Sequence, residues 1–261
     1  MTSVSVRGLL VRGMLAGLLA GCLALCVAYF LGEQHLDAAI AYEEHGAADH
    51  DHGSAAHSHS EEPLVSRTLQ STAGLATGIV VFGVAAGGIA ALAVAYALGR
   101  VGRFGPRATS LLIAGAALVS VYVVPFLKYP ANPPGVGDPG TIDRRTQLYF
   151  LLLALSVLLA LLAVIAGRRL AGRFGNWNAT VAAGAGFVAA IGLAYAFLPS
   201  VSEVPGDFPA QLLWRFRLSA LAVHVTLWVS FGIVFGWLAE RLLVPRPAAV
   251  RPSALRPADL V

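Results

Sequence analysis

Long apolar stretches alternate with short polar segments along the chain, and six of them are long enough to cross a bilayer. About 20 consecutive apolar residues suffice for a membrane-spanning helix. The six stretches cover residues 8–31, 71–98, 108–127, 146–166, 178–198 and 218–238. The pattern predicts an all-α integral membrane protein with six transmembrane helices.

Short motifs recur in the same order at an interval of about 70 residues, which predicts repeated helical hairpins. The recurring pairs are residues 102–105 and 172–175 (both GRFG), 134–135 and 205–206 (both PG), and 144–145 and 215–217 (RR and RFR). We divide the chain into a first transmembrane helix (1–35), an extracytoplasmic loop rich in His, Asp and Glu (36–70), a five-helix bundle (71–240) and a Pro/Arg-rich cytoplasmic tail (241–261). Residues 19–22 (LAGC) resemble a lipobox, so cleavage before Cys22 is the alternative to an uncleaved first helix.

Composition and charge agree with a membrane location. Hydrophobic residues make up 57% of the chain and charged residues only 12%, too few to cover a soluble protein of this size. With six spans, twelve basic residues fall on the side of the termini and six on the other side. The positive-inside rule therefore predicts that both termini are cytoplasmic and that residues 36–70 face outward. The basic excess reflects membrane orientation, and we expect no nucleic-acid partner.

A histidine-rich run from residue 45 to 62 is the strongest candidate for chemistry. It holds His45, His50, His52, His57 and His59, interleaved with four acidic residues. Neutral imidazole is a good ligand for Co²⁺, Ni²⁺ and Zn²⁺, and short His-rich tracts are a compositional signal of metal binding. The run predicts capture of a divalent transition metal by a segment that is disordered when empty. A solvated polar loop without a metal is the alternative.

Three further residues are candidate metal ligands. His224 lies near the middle of the sixth span, where an ionisable group is costly and marks a functional candidate. Glu33 and His35 lie where the first helix leaves the membrane, and they could relay a metal inward. A neutral histidine bonded to a neighbouring helix and ordinary interfacial solvation are the respective alternatives.

Each of the two longer polar connections carries both acidic and basic residues, together with several prolines and glycines. Residues 128–138 exclude a helix and predict a stiff, ordered connection, while Pro125 should loosen the last turn of the third span. We expect acidic and basic residues of these connections to pair with each other. The acids are Asp138, Asp143, Glu203 and Asp207, and the bases are Arg144, Arg145, Arg215 and Arg217.

Several catalytic signatures are missing from the sequence. It contains no P-loop, no H-E-x-x-H and no G-x-S-x-G. We therefore expect neither enzymatic activity nor a tightly bound cofactor, with a metal ion as substrate.

Residues 125–134 (PFLKYPANPP), with 137–139 (GDP), 144–146 (RRT), 177–180 (WNAT) and 213–217 (LWRFR), resemble the CbtA family of proposed cobalt transporter subunits. The resemblance spans nearly the whole chain. It implies a multi-span protein of the bacterial inner membrane that supplies cobalt for cobalamin synthesis. It also implies a small one-span partner, CbtB, with its own histidines. Family members are usually described with five spans, whereas we count six.

Three functions follow from these features. The first is transport of a divalent metal, with cobalt ahead of nickel and zinc. The second is a membrane subunit that binds metal and passes it on without transporting it. The third is an anion or solute carrier that uses the four arginines of the polar connections.

Overall fold

The computed structural model describes residues 3–50, 66–201 and 203–244. His52, His57 and His59, and with them most of the histidine-rich run, lie outside the described residues. Within those ranges the regular structure is helical, and five helices are long and apolar enough to cross a membrane. The predicted all-α membrane fold is confirmed.

The first helix extends well past its apolar stretch. Helix α1 (Ser3–Val27) continues through a π-helical turn (Ala28–Gly32) into α2 (Glu33–His50). At 1.5 Å per residue this rod is about 70 Å long, roughly twice the thickness of the bilayer hydrocarbon. The predicted loop 36–70 therefore begins as a helix, because the Ala-rich segment 36–41 favours helix and buries Ala39 against other parts of the protein.

The second span returns antiparallel to α1 and packs against it through glycines. It consists of α3 (Arg67–Leu69), a π-helical turn (Gln70–Gly74) and α4 (Leu75–Ala97). A Cβ atom on Gly87 would lie 2.5 Å from the carbonyl oxygen of Gly13, and one on Gly83 would lie 2.7 Å from that of Gly17. The two backbones can approach this closely only because both contact faces lack side chains.

The third and last spans complete a bundle with α1 and α4. They are α5 (Pro106–Ala117), a π-helical turn (Leu118–Val123), α6 (Val124–Lys128) and α8 (Ala210–Leu243). The π-helical turn lies directly before Pro125, which has no N–H to offer an α-helical bond, in line with the predicted loosening. Leu9, Val94, Phe231 and Phe235 form the centre of the shared core.

The predicted fourth and fifth spans form one helical element, α7 (Ile142–Phe197), which is bent at Gly175. Gly175 has φ 74° and ψ 163°, a conformation open essentially to glycine alone. The two arms, 142–174 and 176–197, lie side by side, since a Cβ atom on Gly167 would be 3.2 Å from Cβ of Ala183. The six predicted segments are thus all helical. The described residues contain five helices of membrane-spanning length because α7 holds both the fourth and the fifth segment.

The helices alternate in direction, so polar groups gather at two ends of the bundle. The loop end comprises α2, residues 66–74 and the two connections 129–141 and 198–209. The arginine end comprises the start of α1, residues 98–105, the bend at Gly175 and the end of α8. The most apolar stretch of α7 is only 11% buried, against 33–39% for the other spans. The α7 hairpin therefore stands at the edge of the bundle.

Candidate functional site

At the loop end, the helix that leads to the histidine-rich run is fastened to both polar connections. Ala39 of α2 shares a small core with Val136, Phe208 and Leu213. The Tyr42 hydroxyl lies 2.9 Å from the carbonyl oxygen of Asp207 and 3.1 Å from its carboxylate. Because α2 is held in this way, the histidine-rich run starts directly above the two connections.

Glu33, a predicted metal ligand, is held by an arginine. Nη2 of Arg67 lies 2.6 Å from Glu33 Oε2 and 2.7 Å from Asp37 Oδ1. Glu33 and Asp37 are one helical turn apart and share a face, whereas His35 lies between them in sequence and points away. The structure therefore joins Glu33 to Asp37 and Arg67 rather than to His35. This clamp ties the start of the second span to α2.

His45 is the one residue of the histidine-rich run whose side chain is described. Its Nδ1 lies 2.5 Å from the carbonyl oxygen of Ala41 on the same helix, and the ring is exposed. A donor at Nδ1 leaves the lone pair of Nε2 free to bind a metal. His50 is described only as the last residue of α2.

Within the described ranges, no group of three or more His, Cys, Asp or Glu side chains lies close enough to hold a metal ion. The metal roles of the eight candidate residues therefore stay predictions.

Glu203 joins the two polar connections of the loop end. Its carboxylate accepts hydrogen bonds from the Thr141 hydroxyl at 2.5 Å and the Asp138 amide at 3.0 Å, and it lies 3.3 Å from Nη1 of Arg145. These groups, the Thr141 hydroxyl first, hold the pKa of Glu203 below its ordinary value of 4.5. Of the ion pairs expected between the connections, the described residues form this one.

Two of the other expected partners bind elsewhere. Arg217 donates to Asn132 Oδ1 at 2.8 Å rather than to an acid, and Asp207 accepts from Tyr42. Arg217 thereby anchors the proline-rich connection to the start of α8.

The Lys-Tyr pair at the end of α6 locks the first connection onto the second. Nζ of Lys128 donates to the Tyr195 carbonyl and to Ser200 Oγ, both at 3.0 Å. The Tyr129 hydroxyl donates to the carbonyl of Pro199 at 2.8 Å. Sequence reasoning did not find these bonds, since nothing in the local pattern identifies partners about 70 residues away.

Beneath the connections lies a cavity of about 390 Å³ with aromatic walls and a polar rim. Its lining consists of Tyr122, Phe126, Tyr129, Pro130, Ala131, Asn132, Arg145, Thr146, Tyr149 and Phe150. Glu203 offsets the positive charge that Arg145 brings to this cavity. The cavity extends inward as far as Tyr122, which lies within the third span.

Tyr122 connects this cavity to His224. The two rings stack with centroids 3.6 Å apart and planes inclined by 19°, and Phe82 meets the histidine edge-on at 6.2 Å. His224 Nδ1, Tyr122 Oη and Trp228 Nε1 are enclosed, and none has a hydrogen-bond partner among the described residues. Enclosed polar atoms without partners are costly, so the stacked His224 and Tyr122, with Trp228 one helical turn away, mark a place that suits water or a polar ligand.

Only part of this deep cluster was visible in the sequence. His224 stood out as an ionisable group at membrane depth, and Trp228 lies one helical turn from it on α8. Tyr122 comes from another helix about 100 residues earlier, and no local signal pairs it with His224.

Comparison with known proteins gives one match. A family model described as "Probable cobalt transporter subunit (CbtA)" matches residues 6–240, nearly the whole chain. No curated protein and no solved structure matches the chain.

Proposed function

Because the chain belongs to the CbtA family, we propose that it carries a divalent transition metal, cobalt foremost, across the bacterial inner membrane. The observation that carries this proposal is the enclosed His224–Tyr122–Trp228 cluster, which adjoins the loop-end cavity through Tyr122. A polar cluster at membrane depth is expensive for a passive scaffold and useful for a protein that passes an ion.

Capture begins outside, at the histidine-rich run. His45, His50, His52, His57 and His59 concentrate the metal ion at the end of α2, and Glu33 and His35 lie further down the same rod. Most acidic residues of the chain lie at the loop end and attract cations toward it. An inward-moving dication gains roughly 4–5 kcal/mol across 100 mV, so the membrane potential supplies the driving force.

At the deep cluster, the free Nδ1 of His224 is the ligand atom that the protein offers. A single imidazole with an adjacent hydroxyl holds a transition metal weakly, with water completing its shell. Weak binding suits transport, because an ion that enters must also leave.

The description of the family as a subunit implies a partner. We place a one-span, CbtB-like partner against the exposed arms of α7, which bury the least apolar surface of the described spans. A disulfide between the partner and a Leu161→Cys variant on α7, with none from Leu23→Cys on α1, would support this placement. The reverse pattern would rule it out.

Cobalt uptake into proteoliposomes tests the proposal. His224→Ala should abolish uptake while leaving cobalt binding to the intact histidine-rich run unchanged. Deletion of residues 51–62, which leaves α2 in place, should weaken binding and raise the cobalt concentration needed for half-maximal uptake. Uptake that is unaffected by His224→Ala would contradict the proposed route.

A second candidate function is a membrane subunit that binds metal and hands it to another protein. The exposed ring of His45 on α2 favours it, because a ligand on the protein surface can pass a metal to another protein. This function predicts cobalt binding that depends on residues 51–62 and no uptake by the wild-type protein, with or without its partner.

A further inference from the structure

A second cavity lies at the arginine end, far from the proposed metal route. It measures about 880 Å³ and opens between the turn that follows α4 and the bent end of the α7 hairpin. Arg100 and Arg103 line it from the turn, and Arg168, Asn176 and Thr180 line it from α7. Its remaining wall, on the membrane side, is formed by small apolar residues of the two arms.

The charge of this cavity has one sign. Three arginines line it, and the lining contains no acidic residue. Arg103 and Arg168 have no hydrogen bond or ion pair within the described ranges. Arg100 donates one hydrogen bond, from Nη1 to the Tyr96 carbonyl oxygen at 2.9 Å. By contrast, Arg107 at the same end is paired with Glu240 at 2.5 Å. The cavity therefore keeps free guanidinium donors that a neighbouring acid does not neutralise.

The backbone adds to the positive potential. The second arm of α7 begins at Asn176, directly after the bend at Gly175, and so its N-terminus opens on the cavity. The first N–H groups of a helix carry a partial positive charge and favour anions. The Thr180 hydroxyl donates to the carbonyl oxygen of Asn176 in its own helix, and the side-chain amide of Asn176 has no hydrogen bond within the described ranges.

The position of the cavity indicates which anion it suits. The α7 hairpin contacts the other helices chiefly through α6 and the π-helical turn before it, both away from the arginine end, so a gap at that end separates the hairpin from the α4–α5 turn. The arginines lie on the turn after α4 and beside the bend of α7, whereas the small apolar lining residues, such as Ala163 and Ala183, lie further along the two arms within the apolar spans. A ligand that fills both parts needs an anionic group above and an apolar portion below.

We propose that this cavity binds the phosphodiester head group of an anionic phospholipid. Guanidinium groups match phosphate oxygens with paired N–H donors, and basic pockets between transmembrane helices on the cytoplasmic side suit such head groups. The glycerol and upper acyl chains lie along the arms of α7. The bound lipid bridges the α4–α5 turn to the hairpin and closes the gap between them.

The test uses the full-length protein in detergent, titrated with phosphatidylglycerol or phosphatidylcholine while thermal unfolding and lipid retention by native mass spectrometry are measured. The wild-type protein should retain phosphatidylglycerol and unfold at a higher temperature with it than with phosphatidylcholine. Each arginine near an anionic head group contributes about fivefold in affinity, so the double variant Arg103→Gln/Arg168→Gln should bind roughly 25-fold more weakly.

The matched control is Arg169→Gln/Arg173→Gln, which removes the same charge from the same end without touching the cavity lining. It should bind like the wild type. Equal retention of the two lipids, or equal weakening in both double variants, would overturn the proposal in favour of general surface attraction. A rise in unfolding temperature with glycerol phosphate as large as that with the lipid would assign the cavity to a free phosphate compound and overturn the lipid assignment.

Discussion

At the scale of single residues, the most informative feature is the set of three enclosed polar atoms around His224. A scaffold gains nothing from leaving Nδ1, a phenol hydroxyl and an indole N–H without partners. His224 stacks on Tyr122, and its Nδ1 has no hydrogen-bond partner among the described residues. On the proposed transport route, a transient ligand would supply these atoms with a partner.

Tyr122→Phe tests this role. The change removes an enclosed hydroxyl without altering the aromatic stack, so the free energy of unfolding should rise by about 1 kcal/mol. Cobalt uptake should fall at the same time, because the ion loses an oxygen beside His224. Thermal unfolding and proteoliposome uptake measure the two effects.

Tyr29→Phe, at an exposed position of the π-helical turn after α1, is the control and should change neither quantity. Unchanged uptake by Tyr122→Phe would show that the hydroxyl has no part in the route.

The lowered pKa of Glu203 predicts that the stability of the protein decreases in acid. Its folded-state pKa lies below 4.5, so the carboxylate stabilises the fold at neutral pH, and this contribution is lost as the pH falls through the folded-state pKa. The unfolding temperature of the wild-type protein should therefore drop when the pH falls below 4.5, the ordinary pKa of a glutamate.

Glu203→Gln should be less stable than the wild type at neutral pH and should approach it in acid. Glu44→Gln, which changes an exposed acid of α2, should leave the acid response intact. Thermal unfolding of the two variants, measured from neutral pH to below pH 4.5, tests this prediction. If Glu203→Gln keeps the full acid response, the response belongs to other carboxylates.

At the scale of elements, glycine decides how the helices meet. The α1–α4 contact depends on backbone against backbone, and the hairpin of α7 depends on a residue that accepts φ 74°. Both features follow from the missing Cβ atom, but they act differently. The first lets two helices approach, and the second lets one helical element fold back on itself.

Gly87→Ala should destabilise the protein by about 1–3 kcal/mol, because its Cβ atom would lie 2.5 Å from the Gly13 carbonyl oxygen and force the helices apart. Gly78→Ala is the matched control in the same helix, since nothing lies within 4 Å of its Cβ position. It should be neutral or stabilise by up to about 1 kcal/mol through better helix propensity.

Thermal unfolding in detergent measures the pair of variants. Equal effects of the two substitutions would mean that α1 and α4 are not packed as closely as described.

At the scale of the whole molecule, the fold places the proposed metal-binding groups and the basic cavity at opposite ends of the helix bundle. The loop end holds the histidine-bearing rod, the Glu203 carboxylate that joins the two connections, and the cavity that leads to His224. The arginine end holds the basic cavity. Orientation in the membrane decides which chemistry faces the periplasm, and the charge distribution predicts that the loop end does.

Cysteine accessibility tests this orientation in a background where Cys22 and Cys26 are replaced by alanine. Glu44→Cys, at the loop end, should react with an impermeant maleimide in intact cells. Arg173→Cys, at the arginine end, should react only after the membrane is permeabilised. Labelling in the opposite order would place the histidine-rich run in the cytoplasm and would remove the basis for capture from outside.

The sequence alone determined the membrane class, the six apolar segments, the charge difference between the two sides and the candidate ligands, because each depends on residues that are near neighbours along the chain. It also indicated that residues 128–138 form an ordered connection, since proline restricts the backbone wherever it occurs. It missed the helical extension to His50, because the polar residues of α2 concealed a segment that packs through Ala39 and Tyr42.

Only the tertiary structure decided which groups meet. The stacking of Tyr122 on His224, the hold of Thr141 and Asp138 on Glu203, and the gathering of Arg103 and Arg168 around one cavity each join residues that are more than 60 positions apart. Such pairs depend on how helices pack and where connections fold back. Hydropathy, which sets each span separately, carries no information about them.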